Sequence, residues 1–114
     1  TRIYTGTDQK AYFEEQEIAL KDQGEIGFLS QAQEVEHIIF RENAADYDWD
    51  FHNAPARQWI ILLDGHIEIE VSSGEKRNFQ GGDVLLVEDT EGEGHRTRHL
   101  ISQKRKSIFI TLKQ

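Results

Sequence analysis

From Gln58 onward the chain alternates between apolar runs and turn-forming clusters. Trp59-Ile60-Ile61-Leu62-Leu63 is apolar at every position, which predicts a strand covered on both faces. Asp64-Gly65 breaks that run. His66 to Val71 then alternates, with Ile67, Ile69 and Val71 on one face and His66, Glu68 and Glu70 on the other. A period of two predicts a strand with one face toward water. Ser72-Ser73-Gly74 turns the chain and Gly81-Gly82-Asp83 turns it again. Val84-Leu85-Leu86-Val87 and Ile108-Phe109-Ile110-Thr111-Leu112 are two further strands. The basic triplet Lys104-Arg105-Lys106 reads as a solvated hairpin turn.

Upstream the signal is weaker. Val35, His37 and Ile39 share one face over residues 34–40; Glu36, Ile38 and Phe40 share the other. β-branched residues at that period predict a strand, with His37 in the core. Residues 42–50 read as a polar loop. Residues 1–30 hold two short apolar segments, Ala11-Tyr12-Phe13 and Ile18-Ala19-Leu20, separated by acids. No helical stripe persists there, so short strands or an extended arm are expected, with Gly24 and Gly27 bracketing a turn. Strands recurring every 8–12 residues or so predict an all-β sandwich or barrel, and a barrel is preferred. The expected organisation is one domain over 1–114, with an arm and outer strands in 1–30 and the barrel core in 34–112.

At 114 residues the chain is long enough to bury roughly two-thirds of its unfolded surface in one core. It has no cysteine, which excludes disulfides, thiolate nucleophiles and zinc–thiolate sites. A net charge of −8 opposes binding to phosphate backbones, so no nucleic-acid partner is expected. No apolar run approaches the roughly 18 residues of a membrane span, so no membrane partner is expected either. Thr1-Arg2-Ile3-Tyr4 has no charged-then-apolar signal pattern, and a cytoplasmic location is the expectation.

Two histidine-bearing ends flank the core, His52-Asn53-Ala54-Pro55-Ala56-Arg57-Gln58 and His95-Arg96-Thr97-Arg98-His99. Strand parity puts Gln58, Ile60 and Leu62 on one face, and His95, Thr97 and His99 on one face. If Gln58 and His95 point inward, His52, Gln58, His95 and His99 can converge on one cavity. Imidazoles on one wall suit Zn, Ni, Fe or Cu, although glutamine is a poor ligand for a divalent cation. Metal-free acid–base chemistry at a histidine stands equally open, as does a set of hydrogen-bonded polar groups with no chemistry. Arg57 at the rim could hold a substrate carboxylate, and Trp49 could floor a ligand pocket.

Other patterns carry less. Asp46-Tyr47-Asp48-Trp49-Asp50 has calcium-loop acid spacing, yet Phe51 and Arg57 occupy the positions of the required glycine and glutamate. Gly81-Gly82-Asp83 precedes a strand rather than a helix, so it is no phosphate cradle. Ser102 and Ser107 lack a nucleophile context. The loop Glu88 to Gly94 is either a solvated turn or a cover over the cavity, and its acids argue against a polyanionic substrate.

The glycines, turns and strand spacing over residues 52–99 resemble a single-domain cupin, an RmlC-like jelly-roll barrel. The first cupin motif has two histidines two apart, an acid four residues on and a glycine seven further. Counting back from Gly65 gives Gln58, Ala54 and His52. The second motif runs from Gly-Asp to a histidine, here Gly82-Asp83 and His95, and the asparagine often found four residues later is His99. The resemblance implies a metal site of His52, Gln58 and His95, with Ala54 in the place of a further histidine. It implies His95 and His99 as catalytic groups and Arg57 and Trp49 as substrate contacts. It further implies a small organic metabolite as ligand, and either an enzyme or a non-catalytic binding module with an eroded metal cage. The outward face of Trp59, Ile61 and Leu63 predicts a two-fold homodimer.

Overall fold

The computed structural model describes residues 1–114, and it is all-β. Twelve strands follow in order: β1 (Arg2–Thr5), β2 (Ala11–Glu14), β3 (Lys21–Asp22), β4 (Phe28–Leu29), β5 (Val35–Asn43), β6 (Asp48–His52), β7 (Gln58–Leu62), β8 (His66–Val71), β9 (Lys76–Gln80), β10 (Val84–Val87), β11 (His95–His99) and β12 (Arg105–Leu112). A single 3-10 turn at Gly24–Ile26 is the only helical piece. No helix is long and apolar enough to cross a membrane.

The strands form two principal sheets. One has the order β2-β1-β10-β7-β12-β5 and the other β6-β11-β8-β9. Every pair is antiparallel except β1 with β10 and the short β3-β4 ribbon lies apart. From β5 to β12 the chain crosses between the sheets at nearly every step, and only β8 and β9 are consecutive neighbours in one sheet. No ladder joins the two sheets, so they are open layers face to face and not a closed barrel. Sheet-to-sheet packing of this kind leaves roughly 10 Å between layers for inward side chains.

Alternation decides what fills that space. Ile67, Ile69 and Val71 of β8 are buried, whereas His66, Glu68 and Glu70 are half-buried. Leu62 of β7 and Leu85 and Val87 of β10 face them from the other sheet, with Ile3, Ala11, Phe13 and Phe79 closing one end. Truncating a side chain as enclosed as Leu62, 1% exposed, costs about 2–5 kcal/mol. The two faces of β7 separate as parity requires. Ile60 and Leu62 face inward, and Trp59 and Ile61 line an outer groove with Ile18 and Leu29 of the N-terminal arm.

Several expectations are corrected. The polar stretch 42–50 is mostly strand: Glu42 and Asn43 pair with Lys106 and Arg105, and Asp48 and Trp49 with Arg98 and Thr97. Cross-strand partners of opposite charge make those polar positions strand-compatible. His37 is exposed, because β5 is an edge strand with no layer over it. Lys104-Arg105-Lys106 is no solvated turn, since Arg105 opens β12 and is 4% exposed. Residues 18–20 form no strand and stay exposed.

Candidate functional site

A cavity of about 370 Å3 lies between the sheets. The larger sheet supplies Gln58, Ile60 and Leu62 from β7, Leu85 and Val87 from β10, Arg105 and Phe109 from β12, and Arg41 from β5. The smaller sheet supplies Trp49 and His52 from β6, Ile67 and Ile69 from β8, and His95 and Thr97 from β11. Tyr47 and the segment Asn53-Ala54-Pro55 complete it. The volume falls at the small end of ligand pockets, which run from about 300 to 1,000 Å3 and are mostly apolar with a few placed polar groups.

His95 is the best-anchored of those polar groups. It is 6% exposed, and its Nδ1–H donates to Oδ2 of Asp89 at 2.5 Å. Asp89 is fully buried, and its Oδ1 has no partner. A carboxylate held that way fixes the imidazole tautomer and leaves Nε2 as the basic nitrogen on the cavity side. Local backbone geometry delivers the pair. The loop from β10 bonds back to the chain before β7, Ala54 N–H to Asp89 O at 3.0 Å. Gly94 then adopts φ +78°, and a Cβ there would lie 2.1 Å from the His52 carbonyl oxygen. Only glycine permits β11 to start so close to β6. A register shift between His95 and Thr97 re-aims the side chains at that end of the strand.

His52 faces His95 across the β6–β11 pair, their ring centroids 4.8 Å apart. Its Nδ1–H donates to the Asp50 carbonyl at 2.9 Å, which leaves its Nε2 unprotonated. Burial chiefly, and also the neighbouring His95 and Arg41, push its pKa below the usual 6.5, although the Asp50 carbonyl and Asp89 pull the other way. Trp49 stacks on His52 with ring centroids 4.0 Å apart, and both side chains line the cavity.

Of the residues anticipated from sequence, His52, Gln58, His95 and Trp49 come together on the cavity. His99 and Arg57 do not. The His99 ring is committed on both nitrogens: Nδ1–H donates to the Ala45 carbonyl at 2.9 Å, and Nε2 accepts from Arg105 Nε at 3.1 Å. It supports Arg105 from behind and offers no free nitrogen. Arg57 lies outside the cavity, its Nε 2.7 Å from Glu88 Oε2, while Arg2 holds the other Glu88 oxygen at 2.6 Å. Burial would raise the Glu88 pKa, but hydrogen bonds from both arginines hold it below the usual 4.5.

His52 and His95 each have Nδ1 tied to an outer acceptor, the arrangement that orients metal-ligating imidazoles. A resident cation needs a third strong protein ligand, however, and no group of three His, Asp or Glu side chains is placed to hold one. Gln58 supplies only a neutral amide. The residues present do not fit a resident metal centre.

Sequence reasoning missed Asp89, Arg105, Arg41 and Tyr47. Asp89 lies in an acidic loop that reads equally as a solvated turn or a cover over the cavity, and Arg105 lies inside a basic triplet. The spacing of Asp89, two glycines and His95 was the available signal for the first.

No family model matches the sequence, and no match is found among curated proteins. Among solved structures, the chain is similar to the crystal structure of protein NMB1881 from Neisseria meningitidis, at 15% identity and a TM-score of 0.52. The match covers 72% of this chain and 84% of that one, and at such identity it speaks to the fold alone.

Proposed function

We propose that this chain is a cupin-like jelly-roll protein that binds a small organic molecule between its sheets and moves a proton on it through His95. The strand orders β5-β12-β7-β10 and β6-β11-β8-β9 support the jelly roll, because both four-strand layers follow the double Greek-key order. The single observation carrying the chemistry is the buried Asp89–His95 pair at the wall of an otherwise apolar cavity. Asp89 orients and stabilises the imidazolium, His95 Nε2 takes or gives the proton, and neutral His52 beside it completes the wall. The reaction class is proton transfer at a carbon, as in an isomerisation in which His95 takes a proton from one carbon and returns it to a neighbouring one. No step in this reading uses a metal.

The test is exchange of carbon-bound hydrogen. The protein is incubated in deuterated buffer with a panel of small 2-oxo, 2-hydroxy and amino acids, and proton NMR follows loss of each α-CH or β-CH signal. Exchange in at least one compound, lost in His95→Gln, is the expected result. General acid–base groups contribute about 10²–10⁴-fold, so the loss is easily read. Exchange that is equally fast in His95→Gln overturns the role of His95. Binding without exchange in any compound favours the non-catalytic binding module.

We also infer self-association. The outward face of the larger sheet carries Phe40, Ile38 and Val84, 75%, 57% and 46% exposed, and it ends at the open edge of β5. A continuous apolar face beside an unpaired edge is the usual substrate for a two-fold homodimer.

A further inference from the structure

Arg105 is an unusual residue to bury. Only 4% of it is exposed, and no carboxylate lies within salt-bridge distance. Its one side-chain bond is from Nε to neutral His99, which leaves both terminal nitrogens without a protein acceptor. Arg41 lies close enough to repel it, and the two guanidinium groups stand 5.4 and 5.8 Å from the centroid of the same Tyr47 ring. Phe109 flanks Arg41 at 5.2 Å. Burial first, and then the Arg41 charge, lowers the Arg105 pKa, against a smaller pull upward from Tyr47 and the more distant Asp64, and the guanidinium remains charged at any working pH. Enclosing a positive charge that no carboxylate contacts directly is costly, so its partner is expected to come from outside the chain.

The rest of the cavity agrees. None of its lining residues is Asp or Glu, although the chain as a whole carries −8. The charged side chains that line the cavity are Arg41 and Arg105, and the one carboxylate buried close by, Asp89, lies behind His95. Arg105 and His95 sit at opposite ends of the site. His99, which touches Arg105, is four residues along β11 from His95, about 13 Å at the usual rise of ~3.3 Å per residue.

We propose that Arg105 and Arg41 form an anion site at the Tyr47 end of the cavity and that the ligand is a small organic acid. Its carboxylate lies on the planar Arg105 fork, and its apolar body runs along Ile60, Ile69 and Leu85 toward His95. A carboxylate matches the fork in a bidentate way, and the mostly apolar walls select one anionic head on a hydrocarbon frame rather than a polyanion. His99 is the positioning residue that holds the fork flat from behind. This substrate class rests on the reading of the cavity as a small-molecule site, but not on His95 being catalytic.

The experiment compares ligands that differ only in the head group. Thermal melts at pH 7 are recorded with butanoate, benzoate and 3-phenylpropanoate, with the three matching carboxamides, and with phenyl phosphate, each at 10 mM or so. Ligand binding to the native state raises Tm by mass action. At least one carboxylate is expected to raise Tm while its amide does not. Titration of that carboxylate is expected to weaken at least tenfold in Arg105→Lys and in Arg41→Gln, and to persist in His95→Gln. Without ligand, Arg105→Met is expected to melt no lower than the parent chain, because it removes a buried unpaired charge. Stabilisation by amides as large as by acids overturns the proposal, as does the absence of any carboxylate effect. Stabilisation by phenyl phosphate alone overturns the carboxylate assignment. Carboxylate binding that survives His95→Gln in a protein with no hydrogen exchange leaves the anion site standing and removes only the proton-transfer role.

Discussion

Nδ1 of His95 and Oδ2 of Asp89 are 2.5 Å apart, with the carboxylate fully enclosed and its second oxygen unpartnered. Two consequences follow from the same contact. A charge-assisted bond at a buried site contributes more than a neutral one, about 1.5–3 kcal/mol, so Asp89 stabilises the fold as well as the site. It also fixes which imidazole nitrogen is basic. Asp89→Asn keeps the shape and removes the charge. Its expected effect is a hydrogen-exchange rate lowered by about 10²–10⁴-fold with carboxylate binding retained. Comparing exchange rate with titrated affinity in the same variant checks this, and an unchanged rate would assign Asp89 a purely structural part.

His52 makes stability depend on pH in a predictable direction. Its folded pKa is depressed below 6.5, so just under that pH the unfolded chain binds more protons at this position than the native chain does. The contribution of neutral His52 is therefore fully present above about pH 6.5 and is lost as pH falls toward the depressed folded value. Asp89 and Arg41 face the ring from either side of that balance, and His95 adds like-charge repulsion once both rings protonate. Tm measured at pH 7.5 and 5.5 is expected to fall more for the parent chain than for His52→Gln. An equal or larger fall in the variant would locate the acid sensitivity elsewhere.

How much of this was legible beforehand depended on what kind of signal each residue left. Strands such as β8 announce themselves by period two, because one face meets the core and the other meets water. The strands β5 and β6 were underestimated at 42–50 because cross-strand ion pairs, not apolar alternation, make them strands. Gln58 and His95 are reached through motif spacing counted from Gly65 and from Gly82-Asp83, and parity, which is local, only says which neighbours share their faces. Asp89 and Arg105 are not reached that way, since burial of a charge depends on partners far along the chain. The partner of Arg57 is illegible for the same reason: nothing near it in sequence says that Glu88, 31 residues on, accepts its Nε hydrogen bond.

That clamp predicts an asymmetry. Arg57 is exposed and shares Glu88 with Arg2, so Arg57→Ala is expected to change stability by less than about 1 kcal/mol and to leave carboxylate binding untouched. Glu88→Gln removes the carboxylate that accepts from both arginines, at a better-enclosed position, and should cost more, on the order of 1–3 kcal/mol. Its folded pKa is depressed, so its stabilisation is present above about pH 4.5 and disappears as pH falls through the folded value. Urea melts of the two variants at pH 7 and pH 4 check both the ranking and the pH dependence. A large loss of ligand affinity in Arg57→Ala would return that residue to the site.

Gly94 couples the fold to the site through backbone space alone. Its φ of +78° already disfavours any side chain, and an added Cβ would collide with the His52 carbonyl oxygen at 2.1 Å. Gly94→Ala therefore has to push β6 and β11 apart where His52 and His95 pair. The expected result is a stability loss of several kcal/mol with loss of carboxylate binding. Gly74, also at positive φ but with open space around its Cβ position, is the control, and Gly74→Ala should cost only about 1 kcal/mol and leave binding intact. Equal effects from the two changes would show that backbone strain, and not the approach to His52, sets the requirement.

The proposed self-association rests on the outer face of the larger sheet. Phe40 and Ile38 on β5 and Ile108 and Ile110 on β12 share that face through the registers Phe40↔Ile108 and Ile38↔Ile110. Residues 18–33 cover only its β7 side, where Trp59 donates to Gln33 at 2.8 Å. The β5 side is left bare, with Phe40 75% exposed. A second copy related by a two-fold axis would bury it, since an isologous contact presents the same apolar patch twice. Light scattering at micromolar concentration is expected to report a dimer for the parent chain and a monomer for Phe40→Asp. Because Phe40 points away from the cavity, the monomeric variant should keep its carboxylate affinity, which separates assembly from ligand binding. A monomeric parent chain at 100 μM or so would instead mean that this face stays open to water or to a different protein.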